Sequence, residues 1–439
     1  MDLGQVATRR RQLPSHRGFH ASRPARLFGL RLPEPTNEPL AGTVADGSGP
    51  PWFFLLQVLV GLPAALWAYK CLMLVIFQRR IIYLPSVPPG TRDEPIPLQT
   101  GKLRVEAVQV RTDEPSRWLR RRVQLRGIEV EWQHGGESNT DPAAHPPRHV
   151  VIVYLQGNAG TPLLRLPVFR TLLRPDRTAP SQPRVTLLAV APRSYWLSDR
   201  TTPTQRGILA DYRAALRSAR DRHGSDATYI LYGHSLGGAA AILLQLESQH
   251  QQLPEKPPAG SRTPPVAGLI LENPLPSIPY MVRALYPQRW LPYHYLGPFA
   301  FDRWDAMSAI EQDARRRALT GRPLPPTLWL RSGRDEIIPH GASDGVKRMY
   351  AAWTLASERS EAEPVAVTVT SNGPDSSQAQ SSPLTGVVWP RKDKARRRDA
   401  VGTRWVDIPH ALHDTAYTET RWRDEIRHFV DVVSRNAAQ

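Results

Sequence analysis

The chain has 439 residues, with 57 Lys+Arg against 40 Asp+Glu, a formal net charge of +17, 44 Pro and a single cysteine. Apolar residues make up 41% and 12 residues are Trp, enough to fill a sizeable core and to exclude wholesale disorder. The lone Cys71 excludes an intrachain disulfide framework and any zinc-finger or iron–sulfur site built on cysteines.

The positive charge is local. Residues 1–33 hold seven Arg and one acidic residue, and residues 391–398 (RKDKARRR) hold six basic residues and one Asp, leaving +6 for the rest. A nucleic-acid reading based on net charge loses its support, and no nucleic-acid partner is expected.

Residues 1–33, Arg-rich with Ser and almost free of acid, have the composition of a mitochondrial targeting peptide. The alternative is a basic tail on the cytosolic side of another membrane. A linker over 34–51 leads to residues 52–77 (WFFLLQVLVGLPAALWAYKCLMLVIF), interrupted only by Gln57 and Lys70. As a helix this stretch extends ~39 Å, ample for a bilayer core, and Gln78-Arg79-Arg80 ends it with charge. It predicts a single transmembrane helix that binds the bilayer.

From 78 to the C-terminus, short apolar runs alternate with longer helical ones, which predicts a mostly parallel sheet covered on both faces. The buried-strand candidates are 150–155, 185–190, 228–232, 266–271 and 327–330, with strand character resuming at 405–408. Helical spacing covers 204–222 and 238–249. The Pro-rich stretch 248–265 reads as a surface insertion, and 371–404, poor in apolar residues, as a disordered one.

The strongest chemical signal is Tyr232-Gly233-His234-Ser235-Leu236-Gly237-Gly238, between an apolar strand and an Ala-rich helix. A Gly-x-Ser-x-Gly turn in that context is so tight that side chains two before and two after the serine would collide. Gly233 and Gly237 permit it, and Ser235 is lifted above the strand ends at the positive end of the helix dipole. A serine hydroxyl needs a base, an orienting acid and an oxyanion hole, in the chain order Ser, Asp, His. After strand 327–330, Asp335 is the candidate acid, with Glu336 as the alternative. In the loop before the C-terminal helix, His413 and His410 compete as the base, whereas His340 lies too near Asp335 in sequence. Gly157 and Gly160 in the exit loop of the first strand allow close approach to substrate, and the backbone N–H groups of Asn158 and Leu236 are the candidate oxyanion donors.

With these residues in hand, the chain resembles the membrane-anchored α/β-hydrolase-domain serine hydrolases, a family that includes lysophospholipid hydrolases and protein depalmitoylases. The likeness runs through Arg80 to Pro85, Tyr154 to Gly160, Arg193 to Trp196, Gly233 to Gly238, Leu271 to Pro274, Gly333 to Pro339 and His413-Asp414-Thr415. The resemblance implies an α/β-hydrolase fold and favours His413 as the base. The departures are Gln156 where the family has His, Arg193-Ser194-Tyr195-Trp196 where it has Arg-Gly-Tyr-Gly, and His413-Asp414-Thr415, one residue shorter than the family's His-Asn-Asp-Thr.

An aromatic-rich segment within 274–325, containing Tyr280, Trp290, Tyr293, Tyr295, Phe299, Phe301 and Trp304, reads either as a cap sheltering an acyl chain or as ordinary core. Together these features predict a membrane serine hydrolase acting on a lipid or acylated substrate, with no metal and no organic cofactor. A depalmitoylating thioesterase or an acyltransferase would use the same triad. A membrane scaffold that keeps only the fold is the reading from another class. The leader and span together predict the mitochondrial inner membrane, with the endoplasmic reticulum as the alternative.

Overall fold

A computed structural model describes residues 51–97, 100–115, 121–133, 148–176, 182–251, 264–320, 324–340, 344–361 and 402–438. The chain divides into two compact units, Met1–Gly61 and Leu62–Gln439. The targeting peptide expected over 1–33 lies outside the described residues, as does the 34–51 linker except for Pro51.

Helix α1 (Pro51–Ile76) realises the stretch expected over 52–77, and Pro63 lies inside it without ending it. Its apolar side chains surround the helix rather than lining one face, and none of its apolar window is buried. By length and composition it is a candidate membrane span. After one residue, α2 (Gln78–Ile82) continues the chain.

Two strands that the apolar runs do not predict come next, β1 (Leu103–Pro115) and β2 (Arg122–Trp132), paired as an antiparallel hairpin. In β1, buried Leu103, Val108 and Val110 share the strand with Arg104, Glu106 and Arg111. A half-buried strand alternates in this way, and its charges mask it in a search for continuous apolar runs.

The remaining elements alternate: β3 (His149–Leu155), α3 (Leu166–Leu173), β4 (Arg184–Ala191), α4 (Gln205–His223), β5 (Thr228–His234), α5 (Leu236–Gln251) and β6 (Val266–Glu272). Then come α6 (Ile278–Leu285), α7 (Ala306–Thr320), β7 (Thr327–Ser332), α8 (Gly345–Glu361), β8 (Arg404–Ile408) and α9 (Thr420–Ala437). Each strand expected from the sequence is present, extended by one or two residues. Helix α5 takes in 248–251 of the expected surface insertion, and 252–263 lie outside the described residues. So does the expected disordered stretch 371–404, apart from 402–404, and Arg404 already pairs with Leu328 as the first residue of β8.

The eight strands form one sheet in the order β1-β2-β4-β3-β5-β6-β7-β8. β2 runs antiparallel to both neighbours, and β3 to β8 are parallel. The central strands β3, β5 and β7 are buried almost throughout, as parallel strands covered by helices on both faces must be. Each such Val, Ile or Leu contributes about 1.5–3 kcal/mol of burial. The chain turns back from β4 past β3 to reach β5, so a topological switch lies between β3 and β5, where ligands of parallel sheets bind beyond the carboxyl ends of the strands. This is the α/β-hydrolase fold.

The 274–325 segment has two parts. Helix α7 packs against α5 and α8 and belongs to the layer covering the sheet. Ahead of it, α6 and two short 3-10 turns lead to Trp304, which is fully buried, while Trp290, Tyr295, Phe299 and Phe301 are exposed.

Candidate active site

Ser235 directly follows β5 at φ 55°, in the left-handed region that a residue with a side chain adopts only when its surroundings hold it there. Its N–H donates to the Glu272 carbonyl (2.9 Å), and its own carbonyl accepts from the N–H groups of Gly238 (2.9 Å) and Leu275 (3.0 Å). The glycine requirement is steric: a Cβ on Gly233 would run into the Gly237 carbonyl, and one on Gly237 into the Leu155 carbonyl. The elbow is thus locked between β3 and β6, with Ser235 at the first turn of α5.

Asp335, in the turn after β7, accepts four hydrogen bonds. Arg331 Nη1 reaches Oδ2 at 2.8 Å, the N–H groups of Ile337 (2.9 Å) and Ile338 (2.8 Å) reach Oδ1, and His413 Nδ1 stands 3.0 Å from both oxygens. Burial raises the carboxyl pKa, but the hydrogen bonds from His413, Ile338 and Ile337 outweigh it, so the carboxyl lies below its ordinary range. Asp335 is the carboxylate that faces the imidazole. Glu336, the alternative, instead accepts the backbone N–H of His413 at 3.0 Å.

His413, in the loop after β8, is buried and oriented from several sides. Its carbonyl accepts from Asn273 Nδ2 (3.1 Å) and His234 Nε2 (3.1 Å). His410 is exposed and, among the described residues, no side-chain hydrogen bond holds it. The rings of His234 and His413 lie 5.0 Å apart, which brings the imidazole next to the elbow. Among the described residues neither Ser235 Oγ nor His413 Nε2 is engaged in a hydrogen bond, and such contacts tighten when substrate binds.

The oxyanion candidates sit on facing strand ends. Among the described residues the N–H groups of Asn158 and Leu236 are not spent in hydrogen bonds. The Asn158 carbonyl is fixed by the Leu84 N–H (2.9 Å) and the Tyr195 hydroxyl (2.8 Å). A crevice beside the elbow, without room for a water molecule, is lined by Gln156, Tyr195, Tyr212, Leu236 and Trp304 among others.

Several further residues shape the site, and the sequence alone assigns them no role. His234 is fully enclosed; burial, then the charge of Arg165, hold its imidazole down to about 3, so it is neutral and donates through Nε2. Asn273 at the end of β6 pairs with both the N–H and the hydroxyl of Ser332 (2.8 Å each), tying β6 to β7. Arg331 is 1% exposed, and its place in the apolar run TLWLRS is itself a signal, because a cation in a buried strand requires a buried partner. Arg165 and Asp414 close the network with a 2.8 Å ion pair.

The departure at Arg193-Ser194-Tyr195-Trp196 has a structural account. Ser194 and Trp196 hold φ of 70° and 43°, where the family's motif has glycine. Side-chain bonds hold them there: the Ser194 hydroxyl donates to the Thr201 carbonyl, and Trp196 Nε1 donates to the Glu94 carbonyl (2.7 Å). Arg193 forms a buried pair with Asp211 at 2.7 Å. Gln156, in place of the family's His, donates weakly to the Gly160 carbonyl at 3.4 Å.

No family model matches the chain. It is similar to the protein bem46 of Schizosaccharomyces pombe, at 23% identity over 264 residues that cover 60% of this chain and 71% of that protein. It is also similar to the α/β hydrolase domain-containing protein WAV2 of Arabidopsis thaliana, at 25% identity over 276 residues covering 61% and 73%. A solved esterase of Pyrococcus furiosus, Pf2001, overlays with a TM-score of 0.42 at 12% identity, covering 80% of this chain and 96% of that one. The strand order and the strand–Ser235–helix elbow are those of an α/β-hydrolase fold, and the chain is similar to a protein described as an α/β hydrolase domain-containing protein.

Proposed function

We propose that the protein is a membrane-anchored serine hydrolase that cleaves an ester or thioester of a lipid or acylated substrate through an acyl-enzyme. The Ser235 hydroxyl attacks the acyl carbonyl while His413 Nε2 takes its proton. Asp335 keeps the proton-bearing Nδ1 turned toward itself and steadies the imidazolium. The N–H groups of Asn158 and Leu236 stabilise the tetrahedral oxyanion. His413 then protonates the leaving alcohol or thiol, and water activated by the same imidazole releases the acid. Neither a metal nor an organic cofactor takes part in these steps.

The observation that carries this reading is the buried Asp335–His413 pair beside an elbow serine, with two unspent N–H groups next to it. The substrate class rests on α1 and on the segment that leaves it. Leu84 donates its N–H to the Asn158 carbonyl (2.9 Å), and Gly160 donates its N–H to the Val87 carbonyl (2.9 Å), so this segment is stitched to the oxyanion loop. The segment 1–33 supports delivery to mitochondria, and arrest of α1 would hold the protein in the inner membrane; without a leader the same span suits the endoplasmic reticulum.

Acyl products profiled from membranes of cells with and without the protein test the reaction. Release of free fatty acid from an ester supports a lipid hydrolase, release from a protein thioester a depalmitoylase, and appearance on a second alcohol an acyltransferase. Unchanged products in every class would leave a scaffold. A reporter fused to residues 1–50 tests location, and a cytosolic reporter would remove the mitochondrial reading.

A further inference from the structure

Exposure along α1 changes character at one level. From Trp52 to Lys70 every side chain is exposed, whereas from Cys71 onward half-buried residues begin and Gln78 is buried. The exposed stretch is 19 residues long, ~28 Å at 1.5 Å per residue, close to the thickness of a bilayer hydrocarbon core. Its C-terminal end carries Trp67, Tyr69 and Lys70, the residue types that collect at membrane–water interfaces.

A loop of the hydrolase unit reaches that same level. The Trp290 ring lies 6.1 Å from the Trp67 ring, yet Trp290 remains 70% exposed, and its neighbour Arg289 is exposed without a carboxylate partner among the described residues. Residues 286–301 contain no Asp or Glu. Some of their backbone N–H groups are met within the loop or absent. Pro287, Pro292 and Pro298 have no N–H, and the N–H groups of Leu291, His294, Leu296, Phe299 and Ala300 bond to nearby carbonyls. Tyr295 donates its hydroxyl to the Arg289 carbonyl at 2.9 Å. A segment lacking acid and tipped by Trp and Arg suits the headgroup layer, where the ring meets the acyl boundary and the guanidinium meets phosphate.

We infer that the 286–295 loop is a second membrane contact, seated in the headgroup layer beside α1 with Trp290 as its anchor, and that the hydrocarbon boundary lies at Lys70 rather than at Arg79-Arg80. The inference rests on the proposed reading of α1 as a membrane span. The segment that follows the loop is held to the base of that helix by Gln78, which donates to the Phe299 carbonyl (3.1 Å) and accepts from the Phe301 N–H (2.7 Å), and by Arg79 paired with Asp302 (2.9 Å).

The test uses the full chain in vesicles of phosphatidylcholine with one-fifth phosphatidylserine. An environment-sensitive fluorophore is attached, in a Cys71→Ser background, at Val60→Cys, Trp290→Cys, Arg289→Cys or Ser225→Cys. Lipids bearing a nitroxide in the headgroup or deep in the acyl chain serve as quenchers. The Val60→Cys label is expected to respond most to the deep quencher. The Trp290→Cys and Arg289→Cys labels should lose at least half their emission to the shallow one, and Ser225→Cys, at the far end of β5, should not respond. Unquenched labels at both loop positions with a quenched Val60→Cys label would overturn the inference and leave the span standing. An unquenched Val60→Cys label would overturn the span and the inference with it. Strongest deep quenching at the loop positions would also overturn it.

Discussion

Asp335→Asn replaces one oxygen of the site with nitrogen, and the surroundings dictate which way the amide must point. Oδ1 accepts two backbone N–H groups, from Ile337 and Ile338, so the amide oxygen takes that place and Nδ2 takes the Oδ2 place, facing Arg331 and standing as near to His413 Nδ1 as the retained oxygen does. An NH2 group opposes a guanidinium that is 1% exposed, and it cannot accept the proton of His413 Nδ1. Removing one partner of a buried ion pair costs about 3–5 kcal/mol of stability. In a serine triad the loss of the carboxylate acceptor lowers kcat roughly 10⁴-fold, about 5.4 kcal/mol in the barrier at 1.36 kcal/mol per decade. The assay is turnover of a small soluble ester by the full chain in detergent at a temperature where the variant is still folded, alongside a thermal melt. A variant within tenfold of the wild-type kcat would refute the role given to Asp335. An unchanged melt would refute the part given to the Arg331 pair.

His413→Ala should lower turnover of the same ester by at least 10³-fold, and His410→Ala by less than threefold; the reverse order would move the base to His410. Asn273→Ala withdraws a partner from Ser332 and from the His413 carbonyl, and should destabilise the fold by about 1–3 kcal/mol in a denaturant titration; no change would show that the tie between β6 and β7 is not used. Because the Asp335 carboxyl is depressed in the folded state, its contribution to stability is complete above the ordinary carboxylate range and lost as pH falls through its lowered value. The stability gap between wild type and Asp335→Asn should therefore persist at pH 5 and narrow only below about pH 4. A gap that closes near neutrality would show that another group carries it.

Much of this arrangement was legible in the sequence because its causes are local. The parallel strands are continuous apolar runs, and the turn around Ser235 tolerates no side chain at Gly233 or Gly237, so composition and spacing found both. The hairpin β1–β2 escaped because its charges alternate with its apolar residues. The parts that hold His413 were hidden for a different reason. Asn273, His234 and Glu336 are separated from it by 140, 179 and 77 residues, and only the sheet order brings them to one place. Ser194 and Trp196 show the limit of motif matching: two positions that depart from the family's glycines keep the left-handed backbone through their own hydrogen bonds.

The whole mechanism depends on Ser235 being the nucleophile of an acyl-enzyme. Intact-mass measurement of the full chain after reaction with a fluorophosphonate, with peptide mapping of the product, reads that step without any choice of substrate. One adduct is predicted, located on Ser235, absent from Ser235→Ala and strongly slowed in His413→Ala. An adduct that persists in a folded Ser235→Ala variant, or that maps to another residue, would contradict the mechanism.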